Sequence, residues 1–196
     1  MRPFLTPLLT IALLGAACGG PDPTPAATTA PIETATPVAQ SPRPSLGCEA
    51  AAQQADQGHV HVVDINQSYT LHPATSGPHY PVPLPPQPSV YTTPVPEARA
   101  VHNLEHGYVW VYYRDSGADA LSPGAIDVLR AAATAQRKVL MAPYPQLPVG
   151  VTLAFAAWDE LQQCGGGVTA TQAVASLGSF VNAYREGPLA PEPGAG

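Results

Sequence analysis

Nine prolines fall within residues 72–96 of this 196-residue chain. Each lacks a backbone N–H and fixes φ, so the segment excludes both a regular helix and a central strand. It has to run as a long irregular loop, and an ordered loop of that length inside a compact domain is usually functional. The regular elements must be arranged around it.

Residues 108–113 read Tyr-Val-Trp-Val-Tyr-Tyr, aromatic, β-branched and apolar without a break, which predicts a strand. Val60, Val62 and Ile65 predict an earlier strand with His59 and His61 on one face, because strand side chains alternate. Residues 50–55 read as a short helical turn. Ser122 and Pro123 form an N-cap and first helical residue, and Ile126, Leu129 and Ala133 continue that helix to about Gln136. Residues 139–141 and 151–157 read as two more strands. Thr171 caps a last helix with Val174, Leu177, Val181 and Tyr184 on one face, stopped by Gly187 and Pro188. The pattern is α+β: a small, mostly antiparallel sheet with two helices and a long Pro-rich ordered loop.

The first 47 residues do not belong to that domain. Residues 4–17 are an apolar run after Arg2, too short to span a bilayer comfortably and ending in small residues, as a signal peptide does. Cys18 follows Leu14-Gly15-Ala16-Ala17 and resembles a bacterial lipobox, although the Leu stands four residues before the Cys where three is usual. The expectation is an extracytoplasmic lipoprotein with a signal segment over residues 1–18 and Cys18 lipidated, plain secretion or an uncleaved anchor being the alternatives. Residues 19–47 hold seven prolines and almost no large apolar side chain. They read as a disordered Pro/Thr/Ala-rich tether, able to reach up to ~90 Å if extended. Residues 48–187 then form a single domain of about 140 residues, a usual size, and residues 188–196 a flexible tail.

Charged residues make up 11% of the chain and its formal charge is −6, one unit more negative once Arg2 is removed. So few Lys and Arg argue against a nucleic-acid partner and against adhesion to anionic lipid. Contact with the membrane would run through the lipid anchor.

Beyond Cys18 only Cys48 and Cys164 remain. In an oxidising compartment such a pair forms a disulfide, and closing so long a loop stabilises by about 4–5 kcal/mol in the chain-entropy model. Two thiolate ligands for a metal are the rival reading.

All six histidines lie between residues 59 and 106. Two groups stand out: Thr75-Ser76-Gly77-Pro78-His79-Tyr80, and Val101-His102-Asn103-Leu104-Glu105-His106-Gly107. Followed by the 108–113 strand, they resemble the domain of unknown function 3105 family, found in bacterial exported proteins; a similar domain occurs in the animal tumor protein p53-inducible protein 13. The resemblance continues through Ala142-Pro143-Tyr144-Pro145, Ala157-Trp158, Cys164 and Arg185-Glu186-Gly187-Pro188, and covers about residues 55–190. His72-Pro73-Ala74 departs from it, since the family commonly has an acidic or amide residue and a Pro-Pro pair there. The family's name leaves its biochemistry unassigned, so the resemblance implies a type of domain and no reaction.

The residues carry the rest. His102 and His106 are four apart. On a helical turn their Cβ atoms stand ~5–6 Å apart and can share one ion. On a strand they would be ~13 Å apart. A metal reading therefore needs a helical or tight turn at 102–106, ended by Gly107. His79, projecting from the Gly77-Pro78 turn, is the third ligand. Three imidazoles, or two with Glu105, suit zinc or copper. Met141 is a soft fourth ligand for Cu(I), and His59 or His61 can also approach. The expected role is metal binding through His79, His102, His106 and Glu105. The alternative for those rings is to bond a Pro-rich loop to a sheet.

No catalytic residue is assigned. His102-x-x-Glu105-His106 matches the H-x-x-E-H pattern, but that pattern needs a long helix, and Pro96 and Gly107 leave no room for one. A metal-dependent hydrolase of another architecture would use Glu105 as its base. Ser76 lacks a nucleophile elbow, and the Gly165-Gly166-Gly167 run lacks the Lys-Ser/Thr of a phosphate loop. A non-catalytic binding or scaffold module would instead take a peptide or glycan in a groove around Tyr80 and Tyr91.

Overall fold

A computed structural model describes residues 47–195. The signal segment, Cys18 and the tether up to residue 46 lie outside the described residues.

The central strand β2, Val109–Tyr113, is buried along its whole length. Its uninterrupted apolar sequence follows from cover on both sides. Around it stand β1 (Ala52–Gln53), α1 (Glu97–Glu105), α2 (Pro123–Thr134), β3 (Val139–Pro143), β4 (Val151–Ala157), β5 (Glu160–Gly165) and α3 (Ala170–Tyr184). The strand order is β1-β5-β4-β2-β3. α2 carries the chain from β2 to a parallel β3, and the remaining pairings are antiparallel. The architecture is α+β.

Each face of the sheet has its own core. Val109, Val111, Met141, Leu153 and Phe155 pack under Leu129 of α2 and Leu177 and Phe180 of α3. Trp110, Tyr112, Leu140 and Ala156 pack under Val101 and Leu104 of α1 and under Tyr69 and Leu84 of the irregular segments. The Pro-rich loop thus does the work of a fourth helix: it covers one sheet face together with α1. It also shields the sheet edge, because Tyr91 N–H donates to Met141 O and Met141 N–H to Ser89 O, both on β3.

Several local expectations are corrected. There are three helices among the described residues where two were expected. The turn required at 102–106 is the end of α1, which starts directly after Pro96. Residues 50–55 are not helical: Glu49 N–H donates to Gln163 O and Gln54 N–H to Asp159 O, and this edge pairing overrides the helix preference of Ala and Gln. Residues 60–65 form no strand of the sheet: His61 makes an isolated bridge to His79, the chain bends at Val63 and turns at Ile65, and Val60 and Val63 are exposed. α3 is capped by Thr169, with Gln172 returning the bond, and Thr171 lies inside the helix. β5 had no apolar signature to reveal it. It follows β4 through a two-residue turn at Trp158 and Asp159, the latter at φ 55°.

A disulfide joins Cys48 to Cys164, which removes both sulfurs from any ligand set. The C-terminal segment, expected to hang loose, lies along the domain. Glu186 N–H donates to Gly107 O at 2.9 Å, Glu192 N–H to Glu105 O at 3.0 Å, and Lys138 Nζ to the carbonyls of Pro193 and Ala195. Gly107 permits this approach: at φ 76°, a Cβ there would stand 2.8 Å from Glu186 Cα. Main-chain groups of that segment find partners in the fold, and the prolines hide this in the sequence.

Candidate metal centre

Two backbone segments build the site. The first is a short parallel pairing in which Val62 N–H donates to His79 O, His79 N–H to Val60 O, and Gly77 N–H to Gly58 O. It sets His61 beside His79. The Thr-Ser-Gly-Pro turn ahead of His79 is itself tied down: Gln57 N–H donates to Ser76 Oγ and Tyr69 OH to Pro78 O. Gly77 takes φ 121°, a conformation open to glycine. Its carbonyl then meets His79 Nδ1 at 2.8 Å.

The second segment is α1. Its middle is clamped to the loop, since Asn103 Nδ2 donates to Leu84 O and Asn103 Oδ1 accepts from Leu84 N–H. Trp110 Nε1 donates to Ala100 O from β2. The last turn of the helix presents His102 and Glu105, and His106 is its C-cap. His102 Nδ1 meets Tyr80 O at 2.8 Å.

These bonds decide the tautomers. A carbonyl can only accept, so the ring nitrogen facing it carries the proton, and Nε2 is left with a lone pair when the ring is neutral. His79 and His102 are both oriented this way, their Nδ1 atoms held by main-chain carbonyls as metal-ligating imidazoles usually are. Burial pushes the His102 imidazole below its ordinary range, and the neighbouring rings of His106 and His79 add to that.

Three Nε2 atoms converge on Glu105. Its Oε2 is 3.0 Å from His79 Nε2, 3.7 Å from His61 Nε2 and 3.8 Å from His102 Nε2. One ligand atom from each of His61, His79, His102 and Glu105 lies within 4.8 Å of every other. Ligands ~2.0–2.2 Å from a tetrahedral ion stand roughly 3.3–3.6 Å from one another, so this spacing fits a single small cation. His79 and Glu105 are shut off from solvent, whereas the His61 side chain is 52% exposed and leaves the group open on one side.

The other residues singled out in the sequence fall in different places. His106 Nε2 stands 3.2 Å from His102 Nε2, and with Glu105 and Glu192 forms an adjoining group. His59 is exposed and outside both groups. Met141 lies in the core on the opposite sheet face, so it is not a soft ligand here. Ser76 is buried, its hydroxyl bonded to Gln57. His72 belongs to a separate network, with Nδ1 2.9 Å from Tyr144 OH, which donates to Glu97. Tyr91 is held by a bond from its hydroxyl to Pro85 O and packs on Trp110. A cleft of about 540 Å³ opens beside His72 and Glu97, and neither Tyr80 nor Tyr91 lines it.

Two group members carried weak sequence signals. His61 alternates with His59, but only its pairing with His79 selects it. Glu192 has no local signal, because its position comes from the docking of the C-terminal segment.

The model of a family described as "Protein of unknown function (DUF3105)" matches residues 61–196. No curated protein and no solved structure matches the chain.

Proposed function

On the footing that the chain belongs to the DUF3105 family, we propose that its domain binds a transition-metal ion through His61, His79, His102 and Glu105. One observation carries this reading: the Nε2 atoms of two rings held by carbonyls at Nδ1 converge on a carboxylate inside the protein. Electron pairs brought together with neither a proton nor a metal ion between them repel one another, and the burial of His79 and Glu105 weakens screening by water.

Three imidazoles and one carboxylate suit zinc or Cu(II). No thiolate or thioether joins the set, which speaks against a site built for Cu(I). The exposed ring of His61 gives an ion a way in and out. A carboxylate 3.0 Å from His79 Nε2 is a ligand in this arrangement, so Glu105 is not free to act as a hydrolytic base. The role we propose is capture, delivery or sensing of the ion. We place it outside the cytoplasm on a lipid anchor at Cys18, a location that the Cys48–Cys164 disulfide supports.

Elemental analysis of the full chain, purified without a histidine tag and dialysed, tests the reading. At least one equivalent of zinc or copper is expected to remain, and a double His79→Ala, His102→Ala variant should retain at least one equivalent less. A protein that folds normally yet takes up neither ion would end the proposal.

A further inference from the structure

Beside the first group stands a second: Glu105, His106 and Glu192 offer ligand atoms within 4.8 Å of one another. The two groups share Glu105. We propose that the centre is dinuclear, with the Glu105 carboxylate bridging two divalent cations and Glu192 supplied by the C-terminal segment. This inference rests on the metal-binding reading above and extends it.

The argument starts at His102. Its Nδ1 proton is committed to Tyr80 O, so its Nε2 lone pair faces both Glu105 and His106. An ion in the first group uses that lone pair. His106 Nε2, 3.2 Å away, then loses an acceptor and is left facing Glu192 Oε2 at 3.4 Å and the Glu105 carboxylate. One imidazole and two carboxylates are a donor set for zinc, manganese or cobalt at a two-metal site, where the ions stand ~3.5–4 Å apart. A carboxylate has two oxygens with about four lone pairs, enough to serve both ions.

The position of Glu192 is built by the fold. Its own N–H is bonded to Glu105 O, the main chain of the bridging residue. Lys138 Nζ ties His106 O to the carbonyls of Pro193 and Ala195, so one ammonium holds the helix end and the strap together. Gly107 lets the strap pass, since a Cβ there would meet Glu186 and Pro193 main chain at 2.8 and 3.2 Å. Three independent devices therefore bring a carboxylate from the end of the chain to a histidine 86 positions earlier. The Glu192 side chain remains 59% exposed, which leaves this second position the more open to exchange.

Cobalt(II) is the probe. The full chain, freed of metal, should bind two equivalents, and electron paramagnetic resonance should show the two ions coupled, with less signal per cobalt than an isolated ion gives. Glu192→Gln and His106→Gln should each bind one equivalent with full, uncoupled signal, at a melting temperature within a few degrees of the parent. One equivalent in the parent, or two that persist unchanged in both variants, would overturn the dinuclear centre and leave the first site standing. No cobalt in any form would remove both readings together.

Discussion

His79 Nε2 and Glu105 Oε2 meet at 3.0 Å in the interior although 26 residues separate them in the chain. The Gly77 carbonyl holds one His79 proton on the far nitrogen, so in the neutral ring a lone pair and a carboxylate oxygen face each other. A proton or a metal ion has to lie between them for the contact to be favourable. This turns binding and stability into opposing demands on one residue.

Glu105→Gln separates them. The amide can donate to His79 Nε2, which relieves the contact in metal-free protein. Chelated Glu105→Gln should be as stable as chelated parent or up to about 1–3 kcal/mol more stable. Its affinity for zinc should fall by at least ~10–100-fold, as removal even of an outer-shell partner does. Thermal unfolding with and without a chelator, together with competition titration, measures both. A variant less stable without metal and equal in affinity would contradict this account.

Asn103→Ala removes both bonds to Leu84 and orphans a buried N–H and C=O. Each orphaned group costs about 1–3 kcal/mol. The Pro-rich loop should become the first site of proteolysis, with cleavage within residues 82–96, and the urea midpoint should drop.

Cys48→Ser with Cys164→Ser should destabilise by about 2–5 kcal/mol, the usual cost of a native bridge. Cys164 belongs to the core on the side of the sheet that carries α2 and α3, opposite α1. The double variant should therefore keep the metal stoichiometry of the parent while its melting temperature falls. Loss of metal in a folded double variant would show that the two faces are coupled.

The Glu97 carboxylate, accepting from the protonated ring, holds the His72 imidazole above its ordinary value of about 6.5, against its partial burial. A His raised on folding stabilises fully below its unfolded value and loses that contribution as pH climbs through the folded one. Unfolding free energy should thus contain a component that is present in mild acid and fades above about pH 6.5. Glu97→Gln should abolish it, and the His72 ring resonances should titrate at lower pH in that variant.

How much of this was readable beforehand depended on the range of the interaction. The four-residue spacing of His102 and His106, with Gly107 after them, declared a helical turn because local geometry alone decides it. The β2 strand and the caps at Ser122 were legible for the same reason. The full length of α1 is not legible because it begins at the end of the proline run, although proline is well tolerated where a helix begins. β5 stayed hidden since Gln162 and Gln163 carry no period, and the strand exists through its pairing with β4. His61 and Glu192 join the ligand groups only by contacts between distant segments, His61 with His79 and Glu192 with Glu105. No window of the sequence contains those contacts.

The Cys48–Cys164 bond has a mechanical meaning. β1 is two residues long, and two residue pairs would unzip under a small load. A pull applied at Gly47 meets the covalent link to β5 first and is spread into the middle of the sheet. Tugging on the leading end of the domain therefore strains β5 and its neighbours together, while the histidine cluster on the far face carries none of the tension directly.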